Sequence, residues 1–156
     1  MNRTILILVA LALIASTSAV SSQDKEKDKV FRSVANDTVE KVLQSLEVKY
    51  HKEERKEKDT SVMFFEFKRG DQAYRLFNYV NDLWIESTFE KSMKAEDINR
   101  WNADAKFSRL VQVQQRDKTI LSLECQIDCL GGITEAGIKQ FVNRFDEEAK
   151  RFSKFK

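Results

Sequence analysis

The chain has 156 residues, a third of them charged, with 27 Lys and Arg against 25 Asp and Glu and a formal net charge of +2. The charges are interspersed rather than gathered into a basic stripe, which argues against a nucleic-acid partner. A single histidine excludes histidine-rich zinc sites and the H-E-x-x-H metal helix.

Asn2 and Arg3 lead into the apolar run Ile5 to Ala15, followed by Ser16, Thr17, Ser18 and Ala19. This is the layout of a signal peptide. Eleven apolar residues rise about 16 Å as a helix, against a hydrocarbon core of about 30 Å, so the run is short for a membrane span. Cleavage is expected after Ala19, with an uncleaved N-terminal anchor as the alternative. No cysteine lies nearby for lipoprotein acylation. Residues 1–19 contain Arg3 and no acid, so cleavage takes the basic count from 27 to 26 against 25 acids on a mature chain of 137 residues (156 less 19). That length suits one domain. The expected location is periplasmic or secreted, with no stable membrane span after cleavage.

Residues 20–30 are polar and aperiodic, as in a flexible charged leader, and a single domain is expected over 31–156. Phe31, Val34, Ala35, Val39, Val42, Leu43 and Leu46 fall mostly three and four apart, predicting a first helix over Phe31 to Leu46. Val48 and Tyr50 alternate, the charged run His51 to Asp59 reads as a solvated hairpin, and Val62 to Phe67 is a strand. Arg69, Gly70 and Asp71 predict a turn, Ala73 to Val80 and Leu83 to Phe89 two strands with Asn81 and Asp82 between them. Residues 94–105 return to helical spacing through Ile98, Trp101 and Ala105.

Ser108 to Gln115 and Thr119 to Leu130 predict a hairpin. In its second strand Leu121, Leu123, Cys125, Ile127 and Cys129 alternate with Ser122, Glu124, Gln126 and Asp128, the pattern of a half-buried strand. Gly131 and Gly132 end it. Thr134 is placed to cap a last helix, whose buried stripe is Ile138, Phe141, Val142, Phe145, Ala149 and Phe152. The expected class is α+β: an antiparallel sheet with flanking helices in the order α-β-β-β-β-α-β-β-α, without the βαβ rhythm of a nucleotide-binding sheet. Val62, Met63, Phe64, Phe65 and Phe67 make one strand apolar on both faces, so its second face is expected to be covered by a helix or by a partner subunit.

The words Ile98-Asn99 with Trp101-Asn102, Lys106 to Arg109 (KFSR), Leu121 to Asp128 (LSLECQID) and Gly131 to Thr134 (GGIT) occur in an order that resembles the YbjN family. Its domains are described as bacterial sensory-transduction regulators with a fold similar to type III secretion chaperones. The resemblance spans roughly Val39 to Phe152. It implies that fold and a chaperone-like or regulatory role, and it brings no catalytic residues. Secretion chaperones are cytosolic and usually acidic, whereas this chain carries an export segment and is nearly neutral.

No catalytic, cofactor or metal-binding residue is therefore expected, and no enzyme activity. His51 reads as a lone surface imidazole. Cys125 and Cys129 on one strand would sit about 13 Å apart, beyond the roughly 7 Å limit for a disulfide, and read as two small core-face residues, with a bend after Asp128 or a bridge between chains as alternatives. Glu124, Asp128 and Glu135 read as solvated acids. Phe65, Phe67, Tyr74, Phe77, Tyr79 and Trp84 form the candidate partner-binding face, for a protein partner or a second copy in a homodimer. The alternative is a small-ligand sensor with an apolar pocket between helix and sheet.

Overall fold

The structure is a computed structural model that describes residues 29–57, 60–115 and 117–155. The expected signal peptide and most of the leader lie outside the described residues. The elements are α1 (Asn36–Ser45), β1 (Tyr50–Glu57), β2 (Thr60–Arg69), β3 (Gln72–Asn78), β4 (Asp82–Phe89), α2 (Ala95–Asp104), β5 (Arg109–Gln115), β6 (Lys118–Asp128) and α3 (Glu135–Ser153). This is the predicted order. The strands form one antiparallel sheet in the order β1-β2-β3-β4-β6-β5. After β4 the chain passes through α2 to the far edge, lays down β5, and returns to insert β6 beside β4.

The last helix follows its sequence closely. Thr134 has an extended backbone and its Oγ1 accepts from the Gly137 amide at 3.0 Å, satisfying a donor of the first turn. Glu135 in the first turn and Lys150 and Arg151 in the last complement the helix dipole. All six residues of the predicted stripe are buried. They meet Phe65, Phe67, Tyr74, Leu76, Leu83, Ile85, Leu121 and Leu123 from the sheet and Val39, Val42, Leu43 and Trp101 from the other helices in one core.

Two predicted boundaries are corrected. The first helix begins at Asn36 rather than Phe31, because the preceding backbone bonds elsewhere: Phe31 pairs with Ile133 through N···O distances of 2.7 and 2.8 Å, and the Val34 amide donates to the Val80 carbonyl at 2.7 Å. The charged run is not an interruption. His51 to Glu57 pairs with β2 residue for residue, His51 opposite Glu66 and Glu57 opposite Thr60. β1 is an edge strand, where both side-chain rows meet water and charge guards the free edge against further pairing.

The opposite edge is partly closed by a side chain. Asn102 of α2 accepts from the Leu110 amide at 2.7 Å and donates to the Leu110 carbonyl at 3.0 Å, standing in for a neighbouring strand at the start of β5. Asn102→Ala should cost about 1–3 kcal/mol, since Leu110 is buried and its amide would lose its acceptor. Hydrogen exchange should show the Leu110 amide opening selectively, and unchanged protection there would refute this role.

Gly132 has φ +97, where any other residue is strained, and a Cβ on it would also push aside the exposed side chain of Val30, 2.5 Å away. At the β3–β4 turn the exposed Val80 adopts φ 70, rare for a β-branched residue. Its amide donates to the Asn78 side chain at 2.9 Å while its carbonyl receives Val34.

Candidate functional site

The strand period sorts the aromatic residues onto two faces. Phe65, Phe67 and Tyr74 point into the core at 0%, 4% and 2% exposure, against the helices, and offer no surface to a partner. Phe77 and Trp84 stand on the other, outer face. There they form a separate apolar cluster with Val62 and Phe64 that contains strand residues only among the described residues. Tyr79 is 38% exposed and stacks on Phe77 with ring centroids 6.3 Å apart. The candidate face read from the sequence thus divides into an inner and an outer half.

Beside the apolar cluster runs a row of polar residues that only strand pairing reveals. His51 lies opposite Glu66, Glu66 opposite Arg75, Arg75 opposite Glu86, Glu86 opposite Glu124, and Glu124 opposite Arg109. One titratable residue from each of the six strands falls in register on the outer face. Arg75 bonds Glu86 at 3.0 Å and approaches Glu66 at 4.0 Å, while Arg109 bonds Glu124 at 3.0 Å. Arg109 also lies over the Trp84 ring at 5.4 Å. Where β4 meets β6, two carboxylates face each other directly, an arrangement that is unfavourable for like charges. Burial raises the Glu86 pKa, Arg75 lowers it, and Glu124 raises it further.

Ser122 and Glu124 were expected to face water and are instead buried, at 8% and 7% exposure. β6 is an interior strand of the sheet, and Arg109 from its edge neighbour reaches over Glu124. Glu124, Asp128 and Glu135 do not combine into a group able to hold a metal among the described residues. Asp128 instead accepts from the Leu130 amide at 2.6 Å. His51 is exposed on the edge strand.

Two clefts open along the outer row. The larger, about 1220 Å³, runs from the outer-row residues Glu66, Arg75 and Glu86 to Phe67, Tyr74 and Lys150 of the inner side, and its cations outnumber its acids. The smaller, about 280 Å³, lies among Trp84, Phe107, Arg109, Glu124 and Cys125. Cys125 and Cys129 are both free thiols, Cys125 partly buried and Cys129 wholly so. Burial pushes the Cys125 thiol up to about 11 and raises that of Cys129 as well. Because the thiolate is the reactive form, neither cysteine should react with a thiol reagent at pH 8 within minutes in the native protein, whereas both should react once it is unfolded. Rapid native labelling of Cys129 would show that the β6 end is more open than this.

On the inner face the buried carboxylate of Asp146 ties α3 to the sheet. It accepts from the Tyr74 hydroxyl at 2.7 Å and from Lys150 at 2.8 Å, and Arg69 approaches at 3.3 Å. Arg69 also donates to Asn143 at 2.9 Å. No residue of this group was singled out in the sequence as a polar partner, because its members are spread over β2, β3 and α3. The D-x-x-x-K spacing of Asp146 and Lys150 was the only local signal.

No family model matches the chain, and no curated protein matches it significantly. Among solved structures it is similar to YbjN from E. coli, named "a putative transcription regulator", with a TM-score of 0.60 and 15% identity over 74% of this chain and 86% of that one. At that identity the likeness shows the fold. The chain has a YbjN-like α+β fold.

Proposed function

We propose that the protein is an exported, non-enzymatic protein-binding module, chaperone-like or regulatory, that holds a partner on the outer face of its sheet. The observation that supports this best is the pair of outer-face rings that keep surface, the half-buried Trp84 and the exposed Tyr79, seated on a second apolar cluster whose Val62, Phe64 and Phe77 are themselves buried. Aromatic side chains with polar surroundings are the usual anchors of protein interfaces. Export rests on the signal-peptide layout of residues 1–19. The regulatory role accords with the name of the similarly folded YbjN. The alternative, a small-ligand sensor with an apolar pocket between helix and sheet, would have to use the 280 Å³ cleft beside Trp84 and Phe107, which lies between the sheet and the loop before β5 and also presents Lys106, Arg109 and Glu124.

Native mass spectrometry of the mature protein from its own compartment, run beside Trp84→Ser, tests the reading. A bound protein or a dimer that is lost in the variant supports it. A monomer carrying a small molecule transfers the conclusion to the ligand sensor, and a bare monomer in both samples removes the binding role. Turnover that depends on His51 or Glu124 would make the protein an enzyme.

A further inference from the structure

We infer that the end of the sheet where the chain enters the domain is a self-association surface, on which two copies meet through Val30, Val80 and Leu130 about a two-fold axis, with Arg32 of each against Asp82 of the other. This surface is separate from the outer face, and the inference does not rest on the protein-binding reading above.

Burial, strain and charge carry it. Five large apolar side chains stay exposed among the described residues, and three of them, Val30, Val80 and Leu130 at 61%, 54% and 59%, gather at this end. Backbone bonds tie their segments together. Phe31 pairs with Ile133, the Val34 amide reaches the Val80 carbonyl, and the Cys129 amide reaches the Asn81 carbonyl at 2.7 Å. Val30 also rests over Gly132, in the space that a β-carbon there would take. Apolar residues exposed singly are ordinary, whereas an adjoining set rimmed by charge marks an interaction site. Val80 adds a second sign. It is a β-branched residue at φ 70, where asparagine or glycine would sit with less strain, and more than half of it faces water. Its side chain gains burial only when something covers it.

The charges indicate a second copy as the cover. The entry segment supplies a cation, Arg32, which is exposed. The strand ends supply two acids, Asp82 and Asp128, directly opposite each other across β4 and β6. None of the three forms an ion pair among the described residues. Like charges at opposed positions are unfavourable, and Asp128 already accepts from the Leu130 amide, which leaves Asp82 to take a cation. The apolar centre thus has a cation on the side of the entry segment and an acid on the side of the strands. A two-fold axis through the centre exchanges the two sides, so each arginine meets an aspartate twice over. An anionic lipid surface would match Arg32 but be repelled by both acids.

Sedimentation velocity on the mature protein, from about 10 µM to about 1 mM, tests the inference. Three apolar side chains make a small interface, so the dimer should be weak, with a Kd on the order of 100 µM. Val80→Asn should raise that Kd about tenfold and, at the lowest concentration, raise the Tm by about 2–4 °C, because asparagine accepts the backbone that strains valine. Leu130→Ser, in an exposed loop, should weaken the dimer to a similar degree and serves if Val80→Asn disturbs its turn. Arg32→Asp and Asp82→Lys should each be monomeric alone, and mixed in equal amounts they should form a heterodimer, since the exchange restores both contacts. A wild-type chain that stays monomeric at the highest concentration, a mixture that fails to pair, or a dimer untouched by both Val80→Asn and Leu130→Ser overturns the inference. Trp84→Ser should leave this dimer intact, and its loss in that variant would place the dimer on the outer face instead.

Discussion

Asp146→Ala should lower the stability of the fold by about 3–5 kcal/mol, the cost of leaving a buried charge and its partners uncompensated. The expense falls unevenly. Lys150 is 64% exposed and returns to water, whereas the Tyr74 hydroxyl loses its acceptor inside the core and Arg69, 25% exposed, keeps only its bond to Asn143. Asp146→Asn retains an acceptor for Tyr74 and should cost about half as much, on the order of 2 kcal/mol. Urea unfolding with an unchanged slope is the measurement, and a loss under about 1 kcal/mol for the alanine variant would show that the contact is incidental.

The same contact fixes an alkaline limb. Burial first, and then the bond to Asp146, hold the Tyr74 phenol above the ordinary tyrosine value. In the unfolded chain that phenol loses its proton near pH 10, while the folded protein keeps it. The folded state therefore binds more protons above pH 10, so the contribution is fully present below that pH and is lost as pH rises beyond it. Tyr74→Phe should flatten the decline of stability above pH 10. An unaltered decline would place its origin in other groups.

Phe152→Ala should be as damaging, about 3–5 kcal/mol, or a fall in Tm of roughly 10–20 °C. Phe152 is fully buried near the end of α3 and meets Phe89 of β4 and Trp101 of α2 edge-on, with centroids 5.0 and 5.1 Å away. Lys91 lies 4.5 Å from its ring centre. One side chain thus joins the last helix to the middle helix and to the sheet, and its removal opens a cavity that three elements border. Phe155, only partly buried, stacks on Phe152 at 6.3 Å and is the control. Phe155→Ala should cost less than half as much, and equal losses would mean that the helix end frays rather than packs.

The helices and hairpins were legible where one face of an element meets the core. α3 is the clearest case, because Thr134 and the stripe from Ile138 to Phe152 obey a single period. Only the start of β1 was legible, in the alternation of Val48 and Tyr50; its length was hidden because an edge strand asks little of its side chains but solubility, so that HKEERKE carries no alternation to read. Phe31 and Val34 misled for the opposite reason: both bury apolar side chains at helical spacing, yet their backbone pairs with Ile133 and Val80. The outer row could not be read at all. His51, Glu66, Arg75, Glu86, Glu124 and Arg109 have no common spacing in the chain, and they become neighbours only through the register of six strands. The aromatic set was found but not sorted, since which parity faces the helices depends on the turns that precede each strand.

The bridge between Phe31 and Ile133 sets a timetable. Synthesis at about 5–20 residues per second leaves roughly 5–20 s between the appearance of the first partner and that of the second. Through that interval Phe31 lacks its backbone partner, although Val80, which receives the Val34 amide, is made earlier. The first backbone bridge of the domain closes only after all six strands have been made.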